Sequence, residues 1–169
     1  MLLKPIREYE ASYRAYVQEL GREERYPFVL DFDHGDFDAL IARLEAMENG
    51  QRLPEGSVAS STFWLIEDGD IVGVSNLRHR LNARLRRCGG HIGLGVRPSR
   101  RGRGIGAELM RRTLEQGFRR GIDELHIHCY RANPASARII EANGGMLHSE
   151  IEHGVPPQVV QRFVVRAPT

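Results

Sequence analysis

The sequence predicts an α/β fold in which helices flank a mixed central sheet, and three observations lead there. Apolar residues recur at helical spacing before residue 49, and short runs rich in branched and aromatic residues begin near residue 62. Helical and strand patterns then alternate to the end. A chain of 169 residues is enough for one buried core, so residues 1–169 are read as a single domain.

Helices are expected over Tyr9 to Leu20 and over Asp36 to Met47, where Phe37, Leu40, Ile41 and Leu44 share a face. Asn49 to Ser61, with Gly50, Pro54 and Gly56, reads as a loop. TFWLIE and DIVGVSNL flank Asp68-Gly69, a pair suited to a tight hairpin turn. RLNARLRRCGG reads as an irregular basic connection. HIGLGVR is a third strand, ended by Pro98, which has no N–H to give a ladder. Ile105, Leu109, Leu114 and Phe118 mark the apolar face of a helix closed by Arg119, Arg120 and Gly121. ELHIHCY is the next strand. Asn133-Pro134 opens a short helix that Asn143-Gly144-Gly145 ends, and strands follow near Met146 to Glu152 and Val159 to Val165.

Composition excludes several classes. Hydrophobic residues make up 41% and charged residues 27%, as in ordinary soluble domains. No apolar run approaches the roughly 20 residues needed to cross a bilayer. MLLKPIREYE has no secretory h-region, so a cytoplasmic protein without a membrane partner is expected. Cys88 and Cys129 are too few for a disulfide framework and form no CxxC pair, so free thiols and no metal are expected. The net charge of +2 hides an asymmetry. Ile71 to Ala107 contains no acid but holds Arg78, Arg80, Arg84, Arg86, Arg87, Arg97, Arg100, Arg101 and Arg103. Glu19, Glu23, Glu24, Asp31, Asp33, Asp36 and Asp38 lie earlier. One end of the fold should attract anions and the other cations.

The chemistry concentrates in Arg101-Gly102-Arg103-Gly104-Ile105-Gly106, between a strand and a helix. Such a loop exposes backbone N–H groups with no intrahelical partner, and glycine lets an anion approach them closely. Arg101 and Arg103 add charge-assisted donors, so the loop suits a pyrophosphate. A flexible solvated turn is the competing reading. GxGxxG and GxxxxGK[ST] are both absent, which argues against redox and kinase-like nucleotide sites.

These residues resemble the signature of the GNAT superfamily of acetyl-CoA-dependent N-acetyltransferases, over about Phe63 to Val165. Arg101-x-x-Gly104-x-Gly106 follows Val96-Arg97-Pro98, and the family's second motif stands as Asn133-Pro134-Ala135-Ser136, with Gly144-Gly145 closing its helix. The resemblance implies a sheet whose strands HIGLGVR and ELHIHCY splay apart, with pantetheine in the wedge on the backbone of Leu94 and Val96. It implies that Arg101, Gly102, Arg103, Gly104, Ile105 and Gly106 hold the pyrophosphate, with Asn133 and Ser136 also at the cofactor. An N–H near Leu94 or Gly95 would polarise the thioester carbonyl. Many relatives carry a tyrosine as proton donor seven positions after the motif Asn. Here that position is Ile140, and Tyr130 is a candidate substitute.

His128 is the first candidate base, at a position where ribosomal-protein alanine N-acetyltransferases of this superfamily carry a glutamate; His91 is the second. Both also suit a structural role. His126 and His128 could form an HxH metal pair, but no carboxylate is near them in sequence. Ser75 to Asn82 resembles a stretch in a bacterial-type subgroup, which makes Arg78 and His79 candidates for the acceptor pocket. Arg78 suits a substrate carboxylate, and a basic surface turn is the alternative.

The expected activity is direct acetyl transfer from acetyl-CoA to the amine of a small molecule or peptide, without a covalent acyl-enzyme. The acidic N-terminal half suggests a cationic acceptor. Two other readings are a non-catalytic acyl-CoA sensor, prompted by Ile140, and a nucleic-acid module using Arg78 to Arg103. The second lacks interleaved aromatics for stacking on bases, so no nucleic-acid partner is expected. A homodimer is compatible with the sequence.

Overall fold

The computed structural model describes residues 1–169. A short strand β1 (Leu2–Leu3) precedes helices α1 (Glu10–Leu20) and α2 (Phe37–Glu48). Then come β2 (Ser60–Glu67), β3 (Asp70–Arg78), α3 (Ala83–Arg87), β4 (Ile92–Val96), α4 (Ile105–Arg119), β5 (Glu124–Tyr130), α5 (Pro134–Ala142), β6 (Met146–His153) and β7 (Gln158–Arg166). The strands form two antiparallel groups, in the order β1-β2-β3-β4 and β5-β7-β6. A single bridge between Gly90 and Ile127 joins them, at the base of β4 and β5. Beyond that bridge the two strands part.

Local chemistry accounts for the elements. Asp36 caps α2 by accepting from the Ala39 N–H at 3.0 Å. Asp68 and Gly69 both take positive φ, 51° and 79°, which turns β2 into β3 with Glu67 opposite Asp70. Apolar faces close the layers. Tyr13, Tyr16, Val17, Phe37 and Leu40 pack with Trp64 and Val74 on one side of the first sheet. Met110, Leu114 and Ile140 pack with Phe63, Leu77, Ile127 and Phe163 on the other. The sheet is therefore buried on both faces, which is why β2 and β3 read as almost continuous apolar runs.

Two details differ from the sequence reading. β1 pairs with Trp64 and Leu65 although two residues are too few to show a period. The basic connection after β3 is not wholly irregular, because Asn82 accepts from the Leu85 N–H at 2.9 Å and nucleates α3, with Leu85 buried beneath it.

Candidate active site

The parting of β4 and β5 opens a cleft of about 470 Å³. Its walls include Leu94, Gly95 and Val96 from β4 and Ile127, His128, Cys129 and Tyr130 from β5. Asn133, Ser136 and Ile139 of the α5 region line it, as do Arg101, Cys88 and Gly89. Tyr16, Leu20, Glu23, Glu24 and Tyr26, from α1 and the chain after it, close the remaining side. That last group was not legible as a site, since its residues read as a helix face and a loop.

Register decides which parts of β4 are free. Arg78 N–H donates to His91 O at 2.7 Å and Arg97 N–H donates to Val72 O at 2.9 Å. Val74 is opposite Gly95, and Asn76 is opposite Gly93. Antiparallel bonding alternates, so the backbone groups of Gly93 and Gly95 turn toward β3 while those of Leu94 and Val96 turn toward the cleft. Leu94 and Val96 thus present free backbone to the cleft. Gly95 is a correction, because its N–H belongs to the β3 ladder, so of Leu94 and Gly95 it is Leu94 that has a donor facing the cleft. The lack of a side chain at Gly95 has another cause, since a Cβ there would overlap the Tyr26 carbonyl.

The glycine loop stands at the cleft's end. Gly102 and Gly104 take φ of 74° and 78°, a region costly for other residues, and nothing lies within 4 Å of where their side chains would be. Gly104 caps α4 without a side-chain bond, so the N–H groups of Ile105 and Gly106 remain at an open helix N-terminus. Gly106 also packs closely, because a Cβ there would come within 2.6 Å of Ile139 on α5. Arg103 is exposed and unpaired. Arg101 is held, with Nη1 and Nη2 donating to Glu23 at 3.1 and 2.7 Å and Nε donating to Val96 O at 3.1 Å. Asn133 caps α5 through Oδ1, accepting from the Ser136 N–H at 3.2 Å, which leaves its Nδ2 free.

The histidines separate. His91 N–H donates to His126 O at 2.7 Å, and its ring Nδ1 accepts from the His126 N–H at 2.9 Å. Its ring therefore clips the base of β4 to β5, and the neutral tautomer carries its proton on Nε2. A base is not available there, which corrects the second candidate. His128 lines the cleft, is 7% exposed, and has no hydrogen-bond partner on either ring nitrogen. Burial foremost, with further contributions from Arg162, His126, His91 and Arg78, lowers its pKa from 6.5 to about 4, so the ring is neutral at pH 7.

Another orphan faces the same space. Tyr16 is fully buried and its hydroxyl has no partner. It comes within 3.6 Å of where a Gly95 side chain would be. Burial raises its pKa, so it stays protonated and offers a donor. An unpaired buried hydroxyl costs about 1–3 kcal/mol, and such groups normally have a partner. An extended ligand carrying amide carbonyls is chemically suited to meet it.

Several expected residues fall elsewhere. His79 is away from the cleft, with Nε2 bonded to Ser61 Oγ at 2.8 Å beside Glu48 and Arg120. Ile140 is 2% exposed in the core, so no proton donor stands there. Tyr130 and Tyr26 are the partly exposed phenols on the cleft wall. No cluster of three or more His, Cys, Asp or Glu is placed to hold a metal ion, and no helix is long and apolar enough to cross a membrane.

A family model described as the acetyltransferase (GNAT) family matches residues 22–144, which include every residue of the cleft wall except Tyr16, Leu20 and Val160. The chain belongs to the GNAT acetyltransferase family. No curated protein sequence matches it. Solved structures share its fold at low identity. The Salmonella typhimurium acetyltransferase that modifies the N-terminal serine of ribosomal protein L7/L12 has a TM-score of 0.70 and 14% identity, covering 99% of this chain and 94% of that one. A mutant spermidine N-acetyltransferase from Vibrio cholerae has a TM-score of 0.67 and 16% identity, with coverage of 98% and 94%. The protein yncA from Salmonella typhimurium, solved with its cofactor acetyl-CoA, has a TM-score of 0.66 and 17% identity, with coverage of 98% and 92%.

Proposed function

We propose that this GNAT protein transfers an acetyl group from acetyl-CoA directly to the amine of a small molecule or peptide. One observation carries the reading: a single cleft joins an open helix N-terminus, a freed strand edge and a neutral, unpartnered His128 ring. The first suits a pyrophosphate, the second an extended amide chain and the third a proton.

Arg103 and the N–H groups of Ile105 and Gly106 would take the phosphates, with Arg101 joining once it leaves Glu23. Leu94 and the Val96 N–H would hold the amide arm, flanked by Asn133 Nδ2 and Ser136. The coenzyme supplies the acyl group as a thioester. His128 accepts a proton from the amine as the new N–C bond forms and the C–S bond breaks. Leu94 N–H donates to the carbonyl oxygen as charge builds there. The departing sulfur takes a proton from water or from the phenols of Tyr26 or Tyr130.

Calorimetry with acetyl-CoA, paired with thiol release over a panel of amines, tests the proposal. Heat on binding and turnover with at least one amine are expected; absence of binding overturns it. The buried Ile140 favours one second reading, an acyl-CoA sensor. Coenzyme binding with silence across the whole panel would select it.

A further inference from the structure

The surroundings of His128 carry positive charge that no acid answers. Arg78, from the end of β3, is half-buried, and its Nη1 donates only to the carbonyls of Gly90 at 2.9 Å and Gly89 at 3.4 Å. Its guanidinium stands 5.4 Å from the Phe28 ring. Arg162, from β7, donates to Ser149 Oγ at 2.9 Å and to the Arg87 carbonyl at 3.5 Å. Neither makes an ion pair, whereas Arg97, Arg100, Arg101, Arg120, Arg131 and Arg166 all do.

The ionisable groups that bear on the His128 ring are Arg162, directly opposite it on β7, His126 from its own strand, His91 just before β4, and Arg78 from β3, held on the carbonyl of Gly90, where a Cβ would come within 3.3 Å of that ring. None is an acid. Glu24, on the loop with Arg22 and Arg25, is the one unpaired carboxylate on the cleft wall. Four of the seven acids that suggest a cationic acceptor are taken up elsewhere. Glu19 accepts from Arg97 and the Ser99 N–H, Glu23 binds Arg101, Asp38 binds Arg7, and Asp36 caps α2.

We infer that the acceptor amine carries a carboxylate, which Arg78 and Arg162 hold beside His128. This rests on the proposed acetyl transfer and names its acceptor class: amino acids and compounds ending in an amino acid. A guanidinium desolvated among neutral carbonyls lacks the anion that suits it best, and a carboxylate accepts its planar fork on two oxygens. A polyamine would bring like charge into the same field, which disfavours it. The field also helps the chemistry. Two nearby cations ease proton loss from the acceptor's ammonium, and a carboxylate bound between them strengthens His128 as a base.

The test compares amino acids with their carboxamides, with the matching decarboxylated amines and with a polyamine, by thiol release from acetyl-CoA. The carboxylate form is expected to exceed its amide by about a hundredfold in kcat/KM, the scale of a hydrogen-bonded charge pair. Arg78→Met and Arg162→Gln should each remove most of that preference, raising KM for the carboxylate form far more than KM for the amide. Melting temperature, recorded for both, identifies a variant that fails to fold, and Arg162→Gln serves if Arg78→Met does. Equal use of acid and amide, or preference for the polyamine, overturns the inference while acetyl transfer stands. Silence with every amine overturns both.

Discussion

The two walls of the cleft are made of different material. The β4 wall and its loop work through backbone: the free N–H groups of Leu94 and Val96 and the helix N-terminus at Ile105. The opposite side presents side chains from distant parts of the chain, His128 on β5 and Tyr16 on α1 in the wall itself, with Arg162 of β7 opposite His128 and Arg78 of β3 on the neighbouring Gly90 carbonyl. A backbone surface fits the constant part of a reaction, because any sequence that keeps the glycines and the register retains it. A side-chain surface fits the part that varies between relatives, the acceptor. Damage to the second wall should therefore reduce turnover first, and damage to the first should reduce coenzyme affinity first.

The largest expected effect is at His128. His128→Ala should lower kcat by about a hundredfold or more near neutral pH, the usual scale of a general base, and leave the calorimetric affinity for acetyl-CoA within a few-fold. Unchanged turnover would remove His128 from the chemistry. The same residue ties the acceptor wall to pH. His91 and His128 are both held near pKa 4 by burial and by neighbouring cations, against 6.5 when unfolded. Between those values the unfolded chain binds more protons than the folded one, so stability is full above about pH 6.5 and falls as pH drops toward 4. Each pH unit of displacement is worth about 1.4 kcal/mol, so the loss should be evident in melting curves. His128→Ala in an otherwise intact chain should flatten that slope, and an unchanged slope would mean that the ring is not buried neutral.

Legibility in the sequence follows the same division. Arg101 to Gly106 and Asn133 to Ser136 are contiguous, and each sits where a strand or turn gives way to a helix, so local sequence marks the loop and the cap, and the family resemblance gives them their cofactor role. His128 comes from the family resemblance, by its place five residues before Asn133. Sequence could not distinguish Leu94 from Gly95, because that choice depends on which edge of β4 bonds to β3. Nor could it foresee that Glu19 and Glu23 would be spent on Arg97 and Arg101, 78 residues away in each case. Tyr16 looked like one more apolar position of α1, and only its orphaned hydroxyl sets it apart.

Tyr16→Phe sharpens the contrast from an intermediate position, since this side chain meets the backbone wall. The substitution removes an unpartnered buried hydroxyl, so the melting temperature should hold or rise. If the hydroxyl donates to the arm, acetyl-CoA should bind about five- to tenfold more weakly, as expected for one hydrogen bond of about 1 kcal/mol. Equal affinity with unchanged stability would leave the hydroxyl without a ligand.

The smallest expected effect concerns the one side-chain contact that crosses from the acceptor wall to the loop. Arg101 is fixed by Glu23 through two bonds, yet both side chains are 47% exposed, and ion pairs of this kind are worth about 0–1 kcal/mol. Phosphate binding at the loop must displace that pair and must also tolerate the Glu23 charge beside it. Glu23→Gln weakens the first demand and removes the second. Affinity for acetyl-CoA should therefore rise by about threefold at low ionic strength, and the gain should vanish near 1 M salt, where the Debye length is about 3 Å. A gain that persists at high salt would show that Glu23 acts by shape, with the loop after α1 obstructing the cleft whatever its charge.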